Sequence, residues 1–177
     1  RSKFLKFLIS AKNKYQFDKN TYQNRHQVEK YNDFVNDSLG INFSPKRLIL
    51  STINSKPLIK KTVGINPGAS YGSAKRWYPQ EFAKVASELS SKYDIVIFGG
   101  SSEVDIANDI EKLLIENNIT NYQNLAGKTS ITQLIENISN LDLFITGDSG
   151  PMHVAAAFQV PTVAIFGPTK DDETSQW

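Results

Sequence analysis

Ile145-Thr146-Gly147-Asp148-Ser149-Gly150-Pro151-Met152-His153 leads into the small-residue run 154–158 and then into Pro161-Thr162-Val163-Ala164-Ile165-Phe166-Gly167-Pro168-Thr169. The residue types read as strand, polar turn, helix, strand and turn. An acid, a hydroxyl and a glycine thus fall between the carboxyl end of a strand and the amino end of a helix. In open α/β sheets that junction is where anionic ligands bind.

Gly147-Asp148-Ser149-Gly150-Pro151 also spells the nucleophile segment of trypsin-like serine proteases. Those enzymes need a separate His and Asp on an all-β double barrel. Here the segment runs directly into a helical stretch, and the chain holds two histidines. A motif counts only in its structural context, and this context argues against a protease.

Working upstream, the same alternation recurs. Strands are expected at 62–66, 94–98, 121–125, 141–146 and 162–166, with helices at 79–91, 103–116, 130–138 and 149–158. Pro79 suits a first helical position, and Ser130 with Gln133 forms a capping box. Five strands alternating with four helices imply a Rossmann-like, doubly wound parallel sheet of the α/β class. Each strand ends in a loop rich in Gly, Ser, Thr or Asn, so one sheet edge gains a polar rim.

The first sixty residues are less regular. A helix is expected at 24–39, where Val28, Tyr31, Phe34, Val35 and Leu39 recur at helical spacing and Gly40 ends it. Shorter helical and strand-like stretches are expected at 2–10, 14–17 and 48–50. Residues 1–60 read as the tail of one domain plus a linker, and 61–177 as a second domain. No closing helix is expected after Thr169, and the chain reads as a fragment at both ends.

Composition bounds the function. Of 177 residues, 40% are hydrophobic, and no apolar run approaches the ~20 residues of a membrane span. The absence of cysteine excludes disulfides and thiolate metal sites. The net charge of +2 hides +9 over residues 1–61 and −7 over 62–177. Such asymmetry suits a nucleic-acid or membrane surface, or a solvated interdomain face. The basic charges are scattered and carry no nucleic-acid-binding signature, so no nucleic-acid partner is expected.

Three clusters can carry chemistry. The loop Asn66-Pro67-Gly68-Ala69-Ser70-Tyr71-Gly72-Ser73-Ala74-Lys75-Arg76-Trp77 offers hydroxyls and one ammonium to a phosphate. It is neither a P-loop nor a dinucleotide fingerprint, and an ordinary loop with a solvated Lys75 fits the spacing as well. In Gly99-Gly100-Ser101-Ser102-Glu103, Ser102 can cap the next helix with Glu103 in its first turn; alternatively Glu103 accepts from ribose hydroxyls. In the opening stretch, the N–H groups of Ser149 and Gly150 would face an anion. Asp148 can instead cap the helix, and His153 can pack beneath it. No Asp-x-Asp occurs, so a carboxylate site for a metal-bridged diphosphate is not visible, and no metal is expected.

In combination, the loop 66–77, the segment Gly147-Asp-Ser-Gly-Pro-Met-His153 and Phe166-Gly-Pro-Thr169 resemble the bacterial lipopolysaccharide heptosyltransferases, glycosyltransferase family 9. The 66–77 loop is most similar to the branch adding the second heptose. His26-Gln-Val-Glu-Lys-Tyr31 followed by Leu39-Gly40 is similar to the helix before that family's interdomain linker.

The resemblance implies the two-domain glycosyltransferase-B architecture, with residues 1–60 closing the N-terminal acceptor domain and 61–177 holding the donor, ADP-heptose. It implies that Ser70 and Lys75 contact the donor diphosphate and that Glu103 holds the ribose. Gly127-Lys128-Thr129 would border adenine, while Asp148, Ser149, Gly150 and His153 line the phosphate and sugar.

Inverting transfer needs a base on the acceptor hydroxyl and stabilisation of the departing diphosphate. Lys75 and the helix after Asp148 suit the second task without a metal cofactor. The family's catalytic Asp lies near the start of the N-terminal domain, so the base is expected outside this fragment, which alone would be inactive; Asp18, Asp33 and Asp37 match no replacement. The implied partners are the nucleotide sugar and the lipopolysaccharide core, with peripheral contact at the cytoplasmic face of the inner membrane. Two alternatives keep the pocket: a nucleotide-sugar epimerase of similar architecture, preferring UDP-sugars, and a non-catalytic nucleotide-binding module.

Overall fold

The computed structural model describes residues 7–51, 60–68 and 75–177. The chain divides into two compact units, one reaching to Lys46 and including Asp171–Ser175, the other comprising Arg47–Lys170 with Gln176–Trp177.

In the larger unit the elements run β1 (Thr62–Asn66), α2 (Pro79–Leu89), β2 (Asp94–Ile97), a 3₁₀ turn (Ser101–Glu103), α3 (Val104–Glu116), β3 (Tyr122–Asn124), α4 (Ile131–Ser139), β4 (Leu143–Gly147), α5 (Gly150–Ala157) and β5 (Thr162–Ile165). All pairings are parallel and the strand order is β3-β2-β1-β4-β5. The chain builds outward from β1 to β3, then returns to the other side of β1 with β4 and β5. The order therefore reverses between β1 and β4, and the loops leaving those two strands flank the crevice where such sheets bind ligands. Asn66 and Thr146 stand side by side there, in register at the two carboxyl ends.

Strand side chains alternate between two cores, as the period of two requires. Val63, Ile65, Ile95, Ile97 and Ile145 pack with Phe82, Ala86, Ala107, Ile110 and Leu114 of α2 and α3. Phe98, Phe144, Ile138, Leu141, Ala155 and Val160 fill the opposite side with α4 and α5. Burial on both faces explains why the strands read as continuous apolar runs. Gly64 takes the place of a side chain on the second face. A Cβ there would lie 2.4 Å from Leu141 Cδ1 and 2.9 Å from Phe98 and Phe144, whose rings meet edge-on.

In the smaller unit, α1 (Gln27–Leu39) begins later than its periodicity suggests because His26 caps it, in a capping box with Glu29. Gly40 ends the helix with φ 65°, as expected. The strand expected at 14–17 does not form. Phe17 instead stacks on Tyr22 and meets Tyr31 and Phe34, so an aromatic cluster replaces strand pairing. A short helix, α6 (Asp171–Thr174), follows Thr169, where no helix was expected. It is tied to α1 by Lys30 Nζ, which donates to Glu173 Oε2 at 2.8 Å, and by His26 Nε2, 2.9 Å from Ser175 O.

Residues 48–51 likewise form no strand; the Leu50 N–H donates once, to the Ala157 carbonyl. The expected helix at 2–10 lies largely outside the described residues.

Candidate functional site

Four loops meet at the carboxyl edge of the sheet. The β1 loop crosses the β4 loop closely enough that a Cβ on Gly147 would lie 3.4 Å from Gly68 O and 3.7 Å from Lys75 O. Gly68 also faces the β2 loop, where its missing side chain makes room for the Glu103 carboxylate; a Cβ would fall 2.0 Å from Glu103 Oε1. The β3 loop joins through Gly127, whose N–H donates to Gly99 O at 2.9 Å. Gly127 has φ +70°, and a Cβ there would meet Val104 at 2.8 Å, which makes glycine the fitting residue on two counts.

At the centre, Lys75 Nζ donates to Asp148 Oδ2 at 2.7 Å, and Thr169 Oγ1 donates to the same oxygen at 2.7 Å. Both partners are largely withdrawn from solvent: the Lys75 side chain is 23% exposed and that of Asp148 10%. Burial alone pushes the Asp148 carboxyl up. The hydrogen bonds from Lys75 and Thr169, with the charges of Lys75 and His153, outweigh burial and hold it below its ordinary value. Asp148 is therefore an ionised partner for Lys75 and not a helix cap, and Lys75 is not the solvated loop residue that spacing alone allowed.

Ser149 is the N-cap residue of α5 by position, yet its side chain makes no capping bond. Its hydroxyl turns toward β1 and β4, accepting from Asn66 Nδ2 at 3.1 Å and donating to Gly147 O at 3.3 Å. Gly150 opens the helix with free space where a Cβ would stand. His153 is exposed one turn on rather than packed beneath the helix.

The β2 loop also differs from expectation. Ser102 does not cap the following helix; the Gly100 N–H donates to Glu103 Oε2 at 2.7 Å, folding a tight turn that sets the Glu103 carboxylate against Gly68. Thr129 is half-buried beyond the β3 turn. Ser70 lies outside the described residues. The other six expected site residues, with Thr129, all lie on the β1, β2, β3 and β4 loops and the start of α5. Outside this edge, Asp18 accepts from Asn20 N, Asp33 pairs with Arg25 and Asp37 accepts from the Tyr22 hydroxyl, so local structure occupies all three.

Residue-by-residue reading gave no role to Asn66, Thr146 or Thr169. Their signal was positional, since all three are polar groups at strand carboxyl ends or in the loop after the last strand. A second groove, of about 400 Å³, lies around the first residues of β1, β2 and β3 and is lined by Thr62, Asp94, Asn121, Tyr122, Asn137 and Leu141. It is at the opposite strand ends from the loop cluster. Among the described residues, no group of three His, Cys, Asp or Glu is gathered to hold a metal ion.

The sequence pattern of glycosyltransferase family 9 (heptosyltransferase) matches residues 8–177. The chain belongs to glycosyltransferase family 9. It is 49% identical to lipooligosaccharide heptosyltransferase 2 of Campylobacter jejuni, over 99% of this chain and 57% of that protein. The chain thus spans just over half the length of this curated relative. The solved structure of the Escherichia coli ADP-heptose lipopolysaccharide heptosyltransferase II superposes with a TM-score of 0.62 at 37% identity, covering 65% of this chain and 35% of that one. A family 9 glycosyltransferase from Veillonella parvula gives a TM-score of 0.76 over 92% of this chain and 48% of that one; at 24% identity this likeness concerns the fold.

The family 9 assignment agrees with the parallel five-stranded sheet and disposes of the protease spelling of Gly147–Pro151. Ser149 sits at a strand-to-helix junction of a parallel sheet, its hydroxyl bonded to Asn66 and Gly147.

Proposed function

We propose that the protein to which these residues belong transfers heptose from ADP-heptose to the inner core of lipopolysaccharide, and that the loop cluster on this chain binds the donor. The observation that carries this is the half-buried Lys75–Asp148–Thr169 cluster at the switch point of a family 9 sheet. A lone cation there would suit any anion. A cation held by a carboxylate, beside an open helix start and a carboxylate on the neighbouring loop, suits a ligand with both phosphates and hydroxyls.

In this reading the diphosphate takes the Lys75 ammonium from Asp148, a favourable exchange because phosphate carries more charge and accepts from an ammonium at least as well. Asp148 keeps Thr169 as a donor and becomes able to accept from sugar hydroxyls. Glu103, held by Gly100 N–H, presents its carboxylate edge to the ribose, and Thr129 borders the base. As the glycosidic bond breaks, charge grows on the diphosphate, where Lys75 and the α5 amides oppose it. Charge is thereby countered by side chains and amides, with no metal cofactor assigned.

No helix among the described residues is long and apolar enough to cross a membrane. We place the enzyme at the cytoplasmic face of the inner membrane, where nucleotide sugar and lipid-linked acceptor are both accessible.

Calorimetric titration of the 177-residue chain tests the donor assignment. ADP and ADP-heptose should bind, ADP-heptose more tightly, with UDP-sugars weaker and EDTA without effect. A preference for UDP-sugars would favour an epimerase, and binding of none of these would remove the proposal.

A further inference from the structure

Asn66 is buried, 3% exposed, and directs one amide group at two hydroxyls. Its Nδ2 donates to Thr146 Oγ1 at 3.2 Å and to Ser149 Oγ at 3.1 Å. The two hydroxyl oxygens lie 3.4 Å apart and share the Asn66 amide. Each hydroxyl, having accepted, keeps one proton to donate. Thr146 gives its proton to Gly147 O at 3.0 Å. Ser149 points its own toward that same carbonyl, at the longer distance of 3.3 Å, and its oxygen also lies 3.4 Å from Thr146 Oγ1, the longest contact of the group.

The Gly147 carbonyl is therefore already served by Thr146, and the Ser149 proton can move to a better acceptor at no loss of satisfaction. We infer that Asn66 is a positioning residue that fixes the Ser149 hydroxyl as a hydrogen-bond donor toward a bound phosphate or sugar oxygen. This rests on the donor-site proposal above.

The direction of the bond is the substance of the inference. Without the Asn66 amide, the Ser149 hydroxyl would keep its longer contacts to Gly147 O and Thr146 Oγ1 and could turn to serve as an N-cap acceptor for its own helix, the common use of serine at that position. With it, the N-cap preference is overridden, as the missing capping bond shows. The parallel register that sets Asn66 beside Thr146 is what brings the amide within reach.

The test is a double-mutant cycle read by ADP calorimetry on the 177-residue chain, using Asn66→Ala and Ser149→Ala singly and together. Loss of one oriented hydrogen bond corresponds to about a fivefold weakening of ADP binding by Asn66→Ala. That weakening should shrink below about twofold in the Ser149→Ala background. Equal weakening in both backgrounds would overturn the inference while leaving the donor site standing. Failure of the unaltered chain to bind ADP would overturn both.

Should Asn66→Ala not fold, the unaltered side chain serves as its own probe. In the amide NMR spectrum, Ser149→Ala should shift the Asn66 side-chain amide proton resonances. If both Asn66 resonances stay where they are, the Asn66–Ser149 bond does not exist in solution and the inference fails.

Discussion

Replacing Lys75 with Ala leaves the Asp148 carboxylate with the Thr169 hydroxyl still donating to it, in an environment where the Asp148 side chain is 10% exposed. An exposed ion pair contributes about 0–1 kcal/mol, whereas removing one partner of a fully buried pair costs about 3–5 kcal/mol. This pair lies between those limits, and Thr169 continues to donate. Lys75→Ala should therefore lower the stability of the larger unit by about 1–2 kcal/mol at pH 7. Asp148→Asn should cost about 1 kcal/mol or less, because the longer lysine can swing to water.

The double variant should show a coupling of about 1 kcal/mol. Urea unfolding followed by Trp77 fluorescence in a Trp177→Phe background reads this directly, since Trp77 packs edge-on against Phe82 in the same unit. The pH dependence has a fixed sign. The folded carboxyl lies below its ordinary value, so its contribution is fully present above the unfolded carboxyl pKa of about 4 and fades as pH falls through the lowered folded value. The difference between the unaltered chain and Asp148→Asn should persist from pH 5 to 8 and vanish on acidification. Additive single effects, or a difference that grows on acidification, would refute the ion-pair argument.

Two other substitutions separate site from scaffold. Gly68→Ala meets the flexible end of Glu103 and should cost under about 1 kcal/mol in thermal unfolding, while displacing the carboxylate and weakening ADP binding severalfold. Gly64→Ala meets Leu141, Phe98 and Phe144 in the core and should cost about 1–3 kcal/mol or more. In the smaller unit, Glu173→Gln leaves Lys30, 6% exposed, without its carboxylate. Amide hydrogen exchange should then accelerate across Asp171–Thr174 by roughly tenfold or more, matching the ~1.5–3 kcal/mol of a charge-assisted bond.

Much of the sheet was legible because each strand carries its own signal. Thr62–Asn66 is bounded as its residues suggest, since a β-branched pair with a following Asn-Pro leaves little choice. Ser130 with Gln133 closes its capping box as written. Lys14–Phe17 misled because a short aromatic-rich stretch fits a strand and a cluster equally, and Tyr22, Tyr31 and Phe34 decided for the cluster.

The described candidate site residues gather at one sheet edge because the sequence places them in loops at strand carboxyl ends. Their bonding was not legible: Lys75 and Asp148 are 73 residues apart and meet only when β1 and β4 pair. Local rules likewise offered Asp148 and Ser102 as helix caps, whereas the fold sent the first to Lys75 and a Glu103–Gly100 turn replaced the second. Gly64 looked like an ordinary glycine, and the partners that exclude a Cβ there lie far along the chain.

The most direct test of the donor site is amide NMR mapping of the isotopically labelled 177-residue chain titrated with ADP-heptose. Shifts should concentrate at Gly68, Lys75, Gly99–Glu103, Gly127–Thr129 and Gly147–His153, with the groove around Asp94, Asn121 and Asn137 unmoved. Shifts confined to that groove, or none at saturating donor, would contradict the assignment of the carboxyl-edge loops as the nucleotide-sugar site.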